Sequence, residues 1–306
     1  GQGVVHYGPP ESSFEAVARF GRSVSEHHYQ AAAGLPPLQD ALRAKLESEN
    51  RIRIRDHQVL MVTAGSNMAF YHALLAICDP GDEVIVMSPF YFNHEMAICM
   101  ANCRPVLAET DASYQPQLDV IESVLTDRTR AVVTISPNNP AGVVYRTEDI
   151  TAVNELCRQR GLYHISDEAY EYFTYGDSRH FSPGSLEDSR RHTISLFSFS
   201  KAYGLASWRV GYMVAPRKLL SALEKSQDTI LICPPSSPNG PPSAPLRRAA
   251  STAPLSWRRS RGSARCVWTG STLSPQPASS PVPTAPSTCL LDLTPSWDPW
   301  PWWSVW

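Results

Sequence analysis

The chain has 306 residues, 42% of them hydrophobic and 18% charged, with a formal net charge of −2. That length suits one large α/β domain with a smaller one. The near-zero charge gives no electrostatic footprint for nucleic acid or a membrane surface, and no apolar run approaches bilayer-spanning length.

Reading along the chain, Leu38, Ala41, Leu42 and Leu46 recur on one face, so 38–49 is expected to be an amphipathic helix. Val59–Thr63 reads as a short buried strand, and Ala64-Gly65-Ser66-Asn67 as the turn into a helix over Met68–Ala76, closed near Asp79-Pro80-Gly81. Glu83–Met87 is the next strand, ended by Ser88-Pro89, and Arg104–Ala108 and Ala131–Ser136 are two more. A helix over Asp149–Arg160, a strand over Leu162–Ser166 and strands over Thr193–Ser198 and Val210–Ala215 complete the pattern. Continuous apolar strands alternating with helices imply an α/β, three-layer sandwich around a mostly parallel sheet.

The composition changes near Ile232. Lys225 is the last lysine, Asp292 and Asp298 are the only acidic residues after Asp228, and every tryptophan except Trp208 lies in this final stretch. Prolines break any regular period there. A natural Pro/Ser-rich interaction tail is one origin. A shifted reading frame is the other, and the cluster Trp300, Trp302, Trp303 and Trp306 favours it, because exposed indoles invite aggregation. The expected division is therefore 1–30 as an N-terminal segment, 31–232 as the large domain and 233–306 as an aberrant or disordered tail. The chain opens on Gly1 without a visible signal peptide, as expected if its natural start is missing. Seven cysteines are scattered without CxxC or metal-ligand spacing, so no metal site is expected, and an odd number of dispersed thiols suits a reducing, cytoplasmic compartment.

Ligands of open α/β sheets bind beyond the carboxyl ends of the strands, and that is where the polar motifs fall. Lys201 follows the apolar run Ile194–Phe197 within Ser198-Phe199-Ser200-Lys201. Burying an amine is costly unless it is paired or neutralised, and condensing it with an aldehyde as a Schiff base removes that cost while giving it a use. Ser198, Ser200 and Arg209 are natural ligands for a phosphate on the same molecule. The plain alternative is a solvated lysine at a strand edge. Gly65, Ser66 and Asn67 at a helix start can cradle a phosphate with backbone amides or serve as an ordinary cap. Asp167 at a strand end can hold a ring nitrogen protonated or cap a turn. Tyr170 can donate to a ring hydroxyl or fill core. Asn139, in Asn138-Asn139-Pro140, can do the same or simply form a turn. Tyr91 can stack on a ring or pack a hydrophobic corner.

This ordered set resembles the class I/II aminotransferases, the fold type I pyridoxal 5'-phosphate enzymes, over residues 1 to about 232. The resemblance implies Lys201 as the cofactor-linked catalytic lysine, Asp167 on the pyridine nitrogen, and Tyr170 and Asn139 on the ring oxygen. It further implies Ser66, Asn67, Ser198 and Arg209 on the phosphate, Tyr91 on the ring face and His94 behind Asp167. It implies a homodimer in which Tyr29 reaches the neighbouring site, and residues 1–4 lying over the substrate carboxylate. Ala141 departs from the family's usual threonine. The motifs Gln2–Tyr7, Tyr91–Asn93 and Tyr170–Phe173 look most like an aromatic/methionine aminotransferase group, with an amino acid and a 2-oxo acid as substrates exchanged in ping-pong fashion. The family's C-terminal arginine for the substrate carboxylate has no matching motif among Arg247, Arg248, Arg258, Arg259, Arg261 and Arg265. The small domain is thus expected to be incomplete and turnover weak. A lyase or synthase of the same cofactor class, and a silent cofactor-binding fragment, are the competing readings.

Overall fold

A computed structural model describes residues 3–234. The expected tail reading for 233–306 therefore lies, apart from Cys233 and Pro234, outside the described residues, as do Gly1 and Gln2.

Seven strands form one sheet: β1 (Gln58–Thr63), β2 (Glu83–Ser88), β3 (Arg104–Glu109), β4 (Thr129–Ile135), β5 (Tyr163–Asp167), β6 (Thr193–Ser198) and β7 (Gly211–Pro216). Their order is β1-β7-β6-β5-β4-β2-β3. The pairs β3/β2, β2/β4, β4/β5 and β5/β6 are parallel, and β7 runs antiparallel to both β6 and β1. The interior strands β6 and β7 are buried along their whole length because helices cover both faces.

The seven α-helices among the described residues are α1 (Glu11–Arg19), α2 (Pro36–Glu49), α3 (Ser66–Ile77), α4 (Phe92–Met100), α5 (Leu118–Ser123), α6 (Thr147–Arg160) and α7 (Leu220–Leu231). One face of the sheet packs on α3, α4 and α7 through Phe70, Leu74, Ile98 and Leu223. The other packs on α2 through Leu38, Leu42 and Leu46 and on α5 and α6 through Ile121, Ile150 and Val153. The sandwich and the strands expected from sequence are present, with ends shifted by one or two residues. Helices α1, α4, α5 and α7 were not foreseen. The aromatic run Phe90-Tyr91-Phe92 masks the start of α4. Neighbouring prolines at 9 and 10 give α1 an extended residue, Pro10, at its N-cap. No helix among the described residues is long and apolar enough to cross a membrane.

Candidate active site

Three loops, after β1, β5 and β4, meet at the carboxyl edge of the sheet with the β6–β7 connection that carries Lys201 and Arg209 and with the segment after β2 that carries Tyr91 and His94. The first follows β1. Helix α3 begins at Ser66, two residues earlier than the sequence suggests, so Ser66 and Asn67 stand in its first turn and Gly65 takes the N-cap. Gly65 has no side chain to close that turn, which leaves the first amides of the helix as donors at its positive end. Its φ of +83° is available to glycine at little cost. A Cβ there would also lie 2.3 Å from Nη2 of Arg209.

Arg209 itself holds φ 50°, ψ 56°, a left-handed conformation that few arginines adopt. Strain of this kind persists where the surroundings enforce it, often at functional sites. The guanidinium is held by Nη1 donating to the Ala206 carbonyl at 2.8 Å and to Ser200 Oγ at 3.4 Å, and by Nη2 donating to the Ala64 carbonyl at 3.5 Å. Ser198 is buried, and its Oγ accepts from the Ser200 amide at 3.1 Å. The Lys201 amine is half-buried and donates to the Gly3 carbonyl. Burial first, and the positive charge of Arg209 second, lower its pKa. Tyr7 clamps the backbone beside it, its hydroxyl donating to the Lys201 carbonyl at 3.1 Å and the Ala202 carbonyl at 3.3 Å.

The second loop follows β5. Asp167 is its last residue and is buried. One carboxylate oxygen accepts from the Ala169 amide at 3.0 Å and the other lies 3.1 Å from Nε2 of His94, which α4 supplies. Strand alternation explains the pairing: Ile165 packs on the α3/α4 face, and Asp167, two residues on, shares that face. His94 stacks on Phe70, with centroids 4.1 Å apart, and meets Tyr91 edge-on at 5.3 Å. The Lys201 amine lies 5.7 Å from the ring centroid of Tyr170. Burial, followed by Asp167 and Tyr91, pushes the Tyr170 phenol up to about 12.

The third loop follows β4. Asn139 Nδ2 donates to Tyr170 Oη at 3.3 Å. Asn138 shapes the turn, accepting from the Ala141 amide at 2.9 Å and donating to Tyr145 Oη at 2.7 Å. Lys201, Tyr170 and Asn139 are thus linked in one set and Asp167, His94 and Tyr91 in a second, with Arg209 held beside Ala64 and Ser200. Tyr29 is drawn into neither set and is 78% exposed. The contributions of Tyr7 and Asn138 were not foreseen as site features, because each depends on a partner that no local spacing reveals.

The arrangement brings an amine, a guanidinium beside an open helix start and a buried acid to one sheet edge of an α/β fold. Residues 1–252 match the family model for aminotransferase class I and II. A probable aspartate/prephenate aminotransferase of Aquifex aeolicus is 35% identical over 221 residues, 71% of this chain and 56% of its own length. An aromatic aminotransferase of Arabidopsis thaliana is 34% identical over 241 residues, 76% of this chain and 59% of its own. Among solved structures, the aromatic aminotransferase from Pyrococcus horikoshii superposes with a TM-score of 0.78 at 28% identity, over 84% of this chain and 70% of that one. The aspartate aminotransferase from Thermus thermophilus with maleate gives 0.75 at 30% identity, over 84% and 68%. The chain belongs to the class I and II aminotransferase family, with the fold type I sheet. It spans 56% and 59% of the two curated relatives described.

Proposed function

We propose that the site binds pyridoxal 5'-phosphate and moves an amino group between an amino acid and a 2-oxo acid. The observation that carries this reading is the convergence of Lys201, Arg209 and Asp167 at one sheet edge, each held differently. The residues fit the coenzyme. The space a Cβ at Gly65 would occupy lies against Arg209, beside the open first turn of α3, which is a donor set for a phosphate dianion. The buried Asp167 supplies a carboxylate for a ring nitrogen, and Tyr170 keeps its proton at neutral pH and so serves as a donor to a ring oxygen.

When bound, the coenzyme supplies an aldehyde that takes up amino groups and a ring that absorbs electron density. The protein supplies the rest. Burial and Arg209 raise the share of Lys201 in its neutral, nucleophilic form. The same amine, once free, is the base that removes a substrate proton and returns it on the other side of the exchange. His94 orients Asp167, and Asn139 orients the Tyr170 hydroxyl. The Gly3 carbonyl holds the amine, and Tyr7 holds the backbone beside it. The division into segment 1–30 and a large domain from 31, the role of Tyr29 across a homodimer, and an aspartate, aromatic or methionine donor belong to the same proposal. The tail arginines fall outside the described residues.

The test is the purified chain with added pyridoxal phosphate. A visible absorption band of protein-bound coenzyme is expected, absent in Lys201→Ala. Adding aspartate, phenylalanine or methionine without an acceptor is expected to release one equivalent of 2-oxo acid. Ammonia in its place would identify a lyase, and no band at all would reject the coenzyme.

A further inference from the structure

Behind the site, on the opposite face of the sheet, lies a second set of buried polar groups that the proposed chemistry does not use. Lys45 of α2 is 4% exposed and donates to Glu171 Oε1 and Oε2, each at 2.6 Å, and to Asn50 Oδ1 at 2.7 Å. Its cation also sits 5.2 Å from the ring centroid of Tyr172 and 5.0 Å from that of Phe197. Asn50 Nδ2 donates to Glu171 Oε2 at 2.7 Å and to Ser182 Oγ at 2.9 Å. Ser182 donates to Glu168 Oε2, which lies 2.8 Å from His180 Nε2. Glu168 is wholly buried. The result is one unbroken chain of contacts: Lys45, Glu171, Asn50, Ser182, Glu168, His180.

Two of its members each follow a site residue directly in the sequence Asp167-Glu168-Ala169-Tyr170-Glu171. Asp167 and Tyr170 belong to the front, and Glu168 and Glu171 to the back. The backbone between them is a closed turn, with the Glu171 amide donating to the Glu168 carbonyl at 3.0 Å and the Phe173 amide to the Tyr170 carbonyl at 2.8 Å. Gain in stability does not account for such a chain, because buried ion pairs replaced by apolar groups of equal volume often leave a protein as stable or more so. Directional bonds do fix a single geometry, which apolar contacts of similar size hold less tightly. In catalysis a displacement of about 1 Å costs on the order of 100-fold.

We propose that Glu168 and Glu171, anchored by Lys45, Asn50, Ser182 and His180, are positioning residues that set where Asp167 and Tyr170 stand; the proposal rests on the pyridoxal phosphate reading above. The two carboxylates grip the turn from behind at the positions next to the two front groups. A shift of the turn that carries either front group breaks bonds at the back.

Two variants of the full chain test this. Glu168→Gln keeps the shape and removes a charge. The double change Lys45→Met with Glu171→Met removes the ion pair without leaving a buried charge unpaired, so it is expected to fold even if single changes do not. Without coenzyme, the Glu171 and Phe173 amides are expected to exchange hydrogen about tenfold faster in both variants, with β4 amides unchanged. With coenzyme, the dissociation constant is expected to rise about tenfold, the visible circular dichroism of the bound coenzyme to fall by about half, and kcat to drop with little change in KM. A lowered melting temperature with wild-type exchange and wild-type dichroism would overturn the proposal and leave these groups purely structural. If the wild-type chain takes up no coenzyme, the functional reading fails and the positioning role with it. The exchange rates then show separately whether the brace holds the turn.

Discussion

At the amino ends of β2 and β4, Glu83 meets Arg104 and the Thr126 hydroxyl, and Asp82 meets Arg130 at 3.0 Å. At the carboxyl ends, Lys201 and Arg209 hydrogen-bond to carbonyl oxygens and a serine hydroxyl, and Lys201 also faces the Tyr170 ring, with no carboxylate partner among the described residues. Charge at the first edge is spent on closing the fold. The cations at the second edge repel one another, which is part of why the Lys201 pKa is lowered. Uncompensated like charge is costly to hold in place, and an anionic ligand relieves that cost. Arginine therefore does structural work at one edge and, in the proposed reading, binds an anion at the other.

The sharpest way to break this contrast is Lys201→Ala. It is expected to abolish the visible coenzyme band and to slow amino transfer by at least about 1,000-fold, read in a single-turnover assay, with the melting temperature unchanged or higher. Next comes a crossed pair. Arg209→Ala is expected to weaken coenzyme binding by about 10- to 100-fold, the worth of a charged hydrogen-bond donor, with little loss of stability. Arg104→Ala should do the reverse, lowering the midpoint of denaturant unfolding because Glu83 stays buried without its cation, while leaving coenzyme affinity alone. If Arg104→Ala weakened binding as much as Arg209→Ala, the two edges would not be separable. Gly65→Ala should follow Arg209→Ala in direction, since the added methyl group meets the guanidinium and the φ of +83° strains alanine.

The last effect concerns two buried imidazoles, His164 in β5 and His72 in α3. Burial lowers the pKa of His72 to about 4 and, with His192, that of His164 to about 3, both from an ordinary 6.5. The unfolded chain therefore binds their protons first as pH falls. Stability is expected to decline from about pH 6.5 down toward 4 and 3, where the folded forms titrate in turn. Glu83 adds to the same trend: its pKa is lowered by Thr126 and Arg104, and the stability it contributes fades as acid protonates it. Denaturant midpoints at pH 7 and pH 4.5 measure the slope, and a flat profile would contradict the buried, neutral state of these imidazoles.

Much of the fold was legible because β1, β2, β4 and β6 are continuous apolar runs bounded by Gly, Pro or Ser. Helix α4 was not, since the polar residues of Phe92–Met100, Asn93, His94 and Glu95, fall in one run and mark no face, whereas α1 and α7 carry an amphipathic pattern that was open to reading. The candidate site residues could be picked out because each lies just beyond a strand, a position that local sequence reveals. Their supports could not. Tyr7 and Lys201 are 194 residues apart, and Lys45 and Glu171 are 126 apart. Glu168, next to Asp167, reads in isolation as a solvated acid, and only the packing of α2 and Ser182 shows it sealed from water.

The reversed direction of β7 has a consequence for how the chain can vary. Because β7 runs back along β6, residues 199–210 join two neighbouring strands and deliver both Lys201 and Arg209 from one connection. A Cβ at Gly211 would collide with the backbone of Gly65, Ser66 and Phe197, so the far end of that connection has no slack. Lengthening it by even one residue would move amine and guanidinium together, whereas the crossover through α6 could absorb added residues far from the site. Among relatives, insertions and deletions should be scarce between 199 and 211 and commoner between 146 and 162.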